Sequence, residues 1–344
     1  MPFRDVIGHR RLVGLLSRSV GRDSLPPSLI FAGPDGIGKR LAALATAQAL
    51  NCTNPIVSGA SPGTQDIEFD ACGVCAACTR IARNVHPDIL IVEPGENGSI
   101  KIEQVREIVE RAAYRPFEGR RRVVIVDEAD ALVSAGQNAL LKTLEEPPAS
   151  SVFILVTSRP DVLLATVRSR CPRLSFRPLG PDDIAAVLQA RGHSQAEARA
   201  VAATADGSPG RALQASADDL VESRAIAQQA LADAASTDDP RRRIEGAKNL
   251  LQKSGAGGAA ENREQLASHL RAMESLLRDV ELLSTRADAR ALANPDVQPA
   301  LERLVRAYEG ERGMRAFTAI DRALMALERN AGVKVVADWL VLNL

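Results

Sequence analysis

The stretch SLIFAGPDGIGKR, residues 28–40, decides the fold of this chain. It begins with an apolar run typical of a buried strand, and residues 41–50 after it are dense in alanine and leucine and predict a helix. Between them, residues 33–39 match the phosphate-binding P-loop pattern, in which glycines let backbone N–H groups surround a phosphate and the lysine reaches its outer oxygens. A plain glycine turn is the alternative. The nucleotide-binding candidates of the loop are Gly33, Gly36, Gly38 and Lys39.

Arg40 departs from the P-loop pattern at its next position. A working nucleotide triphosphatase has serine or threonine there, and the hydroxyl binds Mg²⁺. A guanidinium has no acceptor atom and repels a metal cation. We therefore expect the loop to bind ATP or ADP weakly, or without hydrolysing it.

Further apolar runs follow at residues 89–92, 123–126, 152–156 and 174–176, with helical patterns between them. Runs that are apolar throughout are typical of strands buried on both faces, so the sequence predicts a parallel sheet with helices on both sides. From residue 181 onward the patterns are helical only. The predicted class is α/β plus all-α, with an α/β domain over residues 1–177 and helical domains over 178–219 and 220–344. Ser134 and Ser194 stand three residues before a glutamine and a glutamate, the spacing of a capping box that opens a helix.

The strand at 123–126 ends in Asp127 and Glu128, the form of a Walker B motif. In that motif Asp127 would contact Mg²⁺, directly or through water, and Glu128 would polarise an attacking water. Acidic residues after a strand can instead cap a helix. Before the strand, the arginines at 120–122 could contact DNA phosphate or a partner, but the arginine-rich composition favours a solvated strand end.

Four of the five cysteines are grouped in sequence. Their C-x2-C-x2-C spacing, with a further cysteine upstream, favours metal ligation over disulfides in a cytoplasmic protein, and buried free thiols are the alternative. The candidate metal ligands are Cys52, Cys72, Cys75 and Cys78.

The overall composition excludes several classes of protein. No apolar run is long enough to cross a membrane, and the first residues lack the apolar core of a signal peptide, so a cytoplasmic location is expected. The chain has 43 basic and 43 acidic residues, which argues against a free-standing nucleic-acid binder.

Three segments together resemble those of a known family. They are DEAD at residues 127–130, NALLKTLEEPP at 138–148 and RSRC at 168–171. On these segments, residues 1 to about 215 resemble the bacterial clamp-loader subunits of the AAA+ class. The resemblance implies an AAA+ P-loop sheet with a zinc module, a small helical lid domain and a C-terminal helical collar domain.

The resemblance also implies roles for single residues. Arg170 would be an arginine finger for ATP bound by a neighbouring subunit, because guanidinium stays charged and offers two donors to a γ-phosphate. Thr157 would be the first sensor and Arg211 the second, although a strand-ending turn and a plain helix start explain these two equally simply. The four cysteines would hold a structural zinc ion, with no open position for water.

The function implied is that of a non-hydrolysing ring subunit, accessory to DNA polymerase III, which helps to load a sliding clamp on primed DNA during replication. The implied partners are motor subunits of the tau/gamma type, a delta subunit and the clamp, with primed DNA bound mainly through the complex. One alternative is an ATP-hydrolysing tau/gamma-type motor, favoured by Lys39, Asp127 and Glu128 and opposed by Arg40. Another is a zinc-dependent DNA-binding module, which the balanced charge disfavours.

Overall fold

The protein is described by a computed structural model that covers residues 1–57, 67–95, 97–205, 207–214, 217–237, 239–251, 258–285, 292, 294, 297–329 and 331–344. Its contacts divide these residues into two compact units. The first consists of Met1–Leu179 with Ser208–Gly210, and the second of Gly180–Gly207 with Arg211–Leu344. The three-domain division with a separate lid and collar stays a prediction.

The first unit contains all the strands of the described residues. In chain order they are β1 (Ser28–Ala32), β2 (Ile56–Val57), β3 (Phe69–Asp70), β4 (Ile89–Val92), β5 (Arg122–Val126), β6 (Ser151–Thr157) and β7 (Arg173–Ser175). The helices before residue 180 are α1 (Arg10–Gly21), α2 (Lys39–Asn51), α3 (Ala76–Ala82), α4 (Ile102–Ala113), α5 (Ser134–Glu145) and α6 (Ala165–Arg168), and short 3-10 turns lie at Phe3–Asp5, Ala129–Ala131 and Pro160–Val162.

Five strands form one parallel sheet in the order β4-β5-β6-β1-β7, which confirms the predicted parallel sheet. Successive side chains point to opposite faces, so Phe31 and Ile125 pack on one side and Ile30 and Val124 on the other. Because all five strands run the same way, the residues that follow β1, β4, β5 and β6 lie at a single edge of the sheet. That edge carries the predicted nucleotide site.

The proline, glycine and serine residues between 53 and 66 predict a loop, but part of it is a strand, since Ile56–Val57 pairs antiparallel with Phe69–Asp70. Residues 58–66 of that predicted loop lie outside the described residues. The capping box at Ser194 is confirmed: its backbone N–H donates to the Glu197 carboxylate (3.0 Å) and its hydroxyl accepts from the Glu197 N–H (3.3 Å). At Ser134 a helix begins as predicted, but the capping box is wrong, because Val133 is the N-cap and makes no side-chain cap.

After residue 180 the described chain is helical, as predicted. The helices are α7 (Pro181–Ala190), α8 (Gln195–Thr204), α9 (Pro209–Gln214), α10 (Ala217–Ser236), α11 (Pro240–Leu250), α12 (Ala259–Ser284), α13 (Gln298–Tyr308), α14 (Glu311–Glu328) and α15 (Val333–Asn343). Their core includes Leu270, Leu301 and Tyr308, whose hydroxyl donates to the Leu231 carbonyl (2.8 Å). No helix within the described ranges combines the length and the apolar character that crossing a bilayer requires.

Candidate functional site

The loop between β1 and α2 depends on its glycines. Gly36 and Gly38 have φ values of +70° and +96°, a left-handed region that other residues rarely adopt. At Gly33 the limit is space, because a Cβ there would lie 2.3 Å from the carbonyl oxygen of Phe176. The P-loop pattern therefore corresponds to a tight turn that only glycine fits at these positions.

Lys39 folds back onto this loop. Its side chain is 6% exposed, and its Nζ donates to the carbonyl oxygens of Gly33 and Pro34 and lies 3.5 Å from Asp35 Oδ1. Burial lowers the pKa of Lys39, and the nearby Asp35 carboxylate partly opposes that shift. A phosphate bound in the loop would have to compete with the two carbonyl oxygens for this ammonium group.

Arg40 lies between two carboxylates. Its Nη1 donates to Asp127 Oδ2 at 3.0 Å and also forms an ion pair with Glu93. The two acidic residues are neighbours because β4 pairs with β5, with Val92 opposite Val126, and each carboxylate directly follows its strand. A guanidinium thus contacts the same carboxylate that a Walker B motif uses to hold Mg²⁺. Arg40, which departs from the P-loop pattern, thus places a cation next to Asp127.

Glu128 has an unusual backbone conformation. Its φ is +48°, which costs a residue with a side chain about 1–2 kcal/mol. Burial, followed by the neighbouring carboxylates of Asp127 and Asp35, raises the pKa of Glu128. Such strain is concentrated at functional sites in proteins. The predicted Walker B pair thus combines a strained backbone at Glu128 with an Asp127 carboxylate that is bound to Arg40.

Thr157 uses its hydroxyl within the protein. The hydroxyl donates to Asp130 Oδ1 at 2.7 Å, and Arg159 Nε donates to the other oxygen of Asp130 at 2.9 Å. Burial would raise the pKa of Asp130, but the hydrogen bonds from Thr157 and Arg159 hold it below its ordinary value. The contact of Thr157 with Asp130 leaves its role as a nucleotide sensor a prediction.

Arg170 lies just after α6 and is held against its own subunit. Its Nη1 donates to the Thr166 carbonyl oxygen (2.8 Å), and its Nη2 forms an ion pair with Glu145 at the end of α5. Cys171 is buried, and burial raises the pKa of its thiol to about 11, against a smaller opposite effect of Arg170. Cys171, which follows Arg170 in the RSRC segment, is therefore a buried, neutral thiol.

Arg211 lies in α9 and belongs to the second unit. It lines a cavity of about 310 Å³ together with Arg263, Arg271 and Asp321. Its predicted role as a second sensor stays a prediction.

The four grouped cysteines come together in space. Their Sγ atoms all lie within 4.8 Å of one another, and those of Cys52 and Cys75 are 3.9 Å apart. Zn–S bonds of about 2.3 Å place the sulfurs of a tetrahedral site about 3.8 Å apart, so the donor set fits zinc. Cys52 caps the end of α2, and Cys75 and Cys78 lie at the start of α3.

Backbone N–H groups support thiolates in this cluster. The N–H of Cys72 lies 3.2 Å from Cys52 Sγ, and that of Cys75 lies 3.3 Å from Cys72 Sγ. Burial opposes ionisation, but hydrogen bonds from Thr53 and from the Cys78 N–H lower the pKa of Cys75 to about 5, whereas burial raises the pKa of Cys78. If all four cysteines are to be thiolates at these distances, a cation must neutralise their charge.

Two residues at the site carried no predicted role. Glu93 contacts Arg40, and Glu145 contacts Arg170. For Glu93 the sequence held a signal, an acidic residue directly after an apolar strand, as at Asp127. For Glu145 the signal was weak, because its partner lies 25 residues away along the chain.

Comparison with known proteins places these features in context. A family model described as DNA polymerase III, delta subunit, matches residues 8–180. DNA polymerase III subunit gamma/tau of Mycobacterium tuberculosis is 36% identical over 186 residues, 54% of this chain and 30% of that protein. Subunit delta' of Pseudomonas aeruginosa is 37% identical over 158 residues, 46% of this chain and 45% of that protein. The chain thus spans less than half the length of these curated relatives.

A solved structure is also similar. It is a DNA polymerase III gamma subunit-related protein from Thermotoga maritima, 17% identical, with a TM-score of 0.42 over 95% of this chain and 96% of that one.

Proposed function

The chain belongs to the DNA polymerase III delta-subunit family, and on this premise we propose that it is a clamp-loader subunit of the delta-prime type. In this role it occupies one place in an AAA+ ring, does not hydrolyse ATP, and supplies Arg170 to the nucleotide of the adjacent subunit. Its own nucleotide site keeps the P-loop but does not bind Mg²⁺.

The observation that carries the proposal is the contact of Arg40 with Asp127 at 3.0 Å. In P-loop enzymes Mg²⁺ bridges the β- and γ-phosphates and neutralises the charge that develops during transfer. Here the hydroxyl ligand is missing and the remaining carboxylate is bound to a guanidinium. Lys39 can still contact a phosphate, so nucleotide binding without hydrolysis is the expected behaviour.

Arg170 is the residue by which the chain would act on its neighbour's ATP. A guanidinium stays charged at every physiological pH, and its parallel donors suit two oxygens of a γ-phosphate. In the proposed ring, ATP on an adjacent tau/gamma-type motor subunit contacts Arg170 across the interface. The ring with bound ATP grips and opens the sliding clamp, and hydrolysis releases the clamp on primed DNA during replication.

The other proposed partners are a delta subunit and the clamp. The balanced charge of 43 basic and 43 acidic residues supports contact with primed DNA mainly through the complex. The helices of residues 220–344 would form the collar that holds the ring together, and the protein would act in the cytoplasm.

A structural zinc ion fits the four cysteines. Cys52, Cys72, Cys75 and Cys78 would hold it with no position left for water, so the ion would stabilise the fold and take no part in hydrolysis. The cluster links the end of α2 to α3 beside the sheet.

The competing proposal is an ATP-hydrolysing tau/gamma-type motor, supported by Lys39, Asp127, Glu128 and the 36% identity to a gamma/tau subunit. Steady-state ATP turnover of the isolated chain with Mg²⁺ separates the two proposals. We expect no turnover above background, and none that differs between the chain and its Lys39→Ala variant. Turnover of about 1 s⁻¹ or faster, within the usual enzyme range, that is lost in Lys39→Ala would establish the motor instead.

A further inference from the structure

The predicted arginine finger already has a partner in its own chain. Arg170 Nη2 is paired with the carboxylate of Glu145, and Nη1 donates to the Thr166 carbonyl oxygen at 2.8 Å. Both charged side chains are partly exposed, at 32% for Arg170 and 48% for Glu145. The pair therefore lies where another molecule can reach it.

The position of Glu145 is unfavourable without this partner. It is the last residue of α5, and the C-terminal end of a helix carries partial negative charge that disfavours a carboxylate. Glu146 follows directly, so two carboxylates stand at the same helix end. Pairing with Arg170 offsets the repulsion at Glu145.

The guanidinium is incompletely bonded in this arrangement. Within the described part of the chain, its Nε is buried and contacts no acceptor. A buried donor without a partner costs free energy, so the paired state is held less firmly than a fully bonded one. Exposed ion pairs of this kind are weak, and a phosphate group with more negative charge can replace the carboxylate.

We propose that Glu145 is a positioning residue for the finger: it binds Arg170 while no γ-phosphate is present and competes with that phosphate when one is. This inference rests on the proposed function of Arg170. ATP on the neighbouring subunit draws the guanidinium away from Glu145. After hydrolysis and loss of the phosphate, Arg170 has no partner across the interface and returns to Glu145.

The test compares the affinity of the full chain for a tau/gamma-type motor subunit loaded with a non-hydrolysable ATP analogue or with ADP. We expect Glu145→Gln to bind the analogue-loaded motor about two- to fivefold more tightly, the range of an exposed ion pair, with unchanged affinity for the ADP-loaded motor. Glu145→Asp should fall between wild type and Glu145→Gln. Glu146→Gln is the matched control and should behave as wild type, with melting curves confirming that each variant is folded.

The Arg170→Ala background separates the possible failures. If the proposal is right, Glu145→Gln has no effect on affinity once Arg170 has been removed. Equal or weaker binding of Glu145→Gln to the analogue-loaded motor, with Arg170→Ala still impaired, overturns the role of Glu145 alone. If Arg170→Ala itself binds the analogue-loaded motor as well as wild type does, the finger assignment fails.

Discussion

Arg40 and Arg170 are the same type of side chain in two different surroundings. Arg40 lies between Asp127 and Glu93 at the edge of the sheet, where two successive strand ends supply the carboxylates. Arg170 lies on a short turn after α6 and pairs with a single carboxylate, that of Glu145. Both guanidinium groups are partly exposed, at 40% for Arg40 and 32% for Arg170, but Arg40 contacts two carboxylates and Arg170 contacts one.

The difference lies in the surroundings, because the charge is identical. Two carboxylates on neighbouring strands contact Arg40, whereas Arg170 is paired with one carboxylate at a helix end. Under the proposed function, the first arrangement puts a cation in place of Mg²⁺ and is unsuited to hydrolysis, and the second lets Arg170 exchange its carboxylate for another subunit's phosphate.

Removing Arg170 should have the largest effect of the substitutions considered, and the effect should be on ATP turnover of the assembly. In an assembly reconstituted with motor subunits, clamp and primed DNA, we expect Arg170→Ala to lower ATP turnover by up to about 10³-fold, the lower end of the effect of a trans arginine finger, because the neighbour's transition state loses a cation. The assembly itself should still form. Turnover is measured at saturating ATP, and complex formation by size-exclusion chromatography.

Arg168→Ala is the matched control for that experiment. Arg168 is two residues away, is partly exposed and pairs with Asp161 at 3.1 Å. Its removal should leave turnover near the wild-type value. Equal rates for wild type and Arg170→Ala would contradict the contrast between Arg40 and Arg170, because Arg170 would then have no role in the neighbour's turnover.

Replacing Arg40 should have a smaller effect, and the effect should be a gain: the protein should become more stable when Mg²⁺ and nucleotide are present. Arg40→Thr restores the hydroxyl and frees Asp127, so Mg²⁺ with nucleotide should now stabilise the fold. At a ligand concentration one hundred times its Kd the gain is about 2.7 kcal/mol. The measurement is the melting temperature with nucleotide, with Mg²⁺ or with a chelator.

Wild type and Arg40→Lys serve as the references. Both keep a cation beside Asp127, so their melting temperatures with nucleotide should not depend on Mg²⁺. A clear Mg²⁺-dependent rise in wild type would mean that Arg40 does not replace the metal.

The sequence predicted the parts of the site that are built from neighbours along the chain. The run into Gly33, the helix that starts at Lys39 and the acidic pair after β5 are local patterns, and each has a strong chemical requirement. The cysteine spacing is similarly informative, because residues three apart at the start of a helix bring their thiols together.

What the sequence could not predict depends on tertiary pairing. Glu93 meets Arg40 only because β4 lies beside β5, and a sequence pattern does not fix the order of parallel strands. Among the arginines predicted to form a solvated strand end, Arg122 is in fact buried and pairs with Asp88 at 2.9 Å. That reading was wrong because a buried carboxylate on the adjacent strand end offsets its charge, and nothing near Arg122 in sequence indicates this.

The most direct test of this account is an experimental structure of the assembled ring with a non-hydrolysable ATP analogue and Mg²⁺. We predict that Arg170 contacts the γ-phosphate on the adjacent subunit while Arg40 still occupies the space beside Asp127, with no metal bound there. Arg170 directed into solvent, or Mg²⁺ coordinated by Asp127, would contradict it.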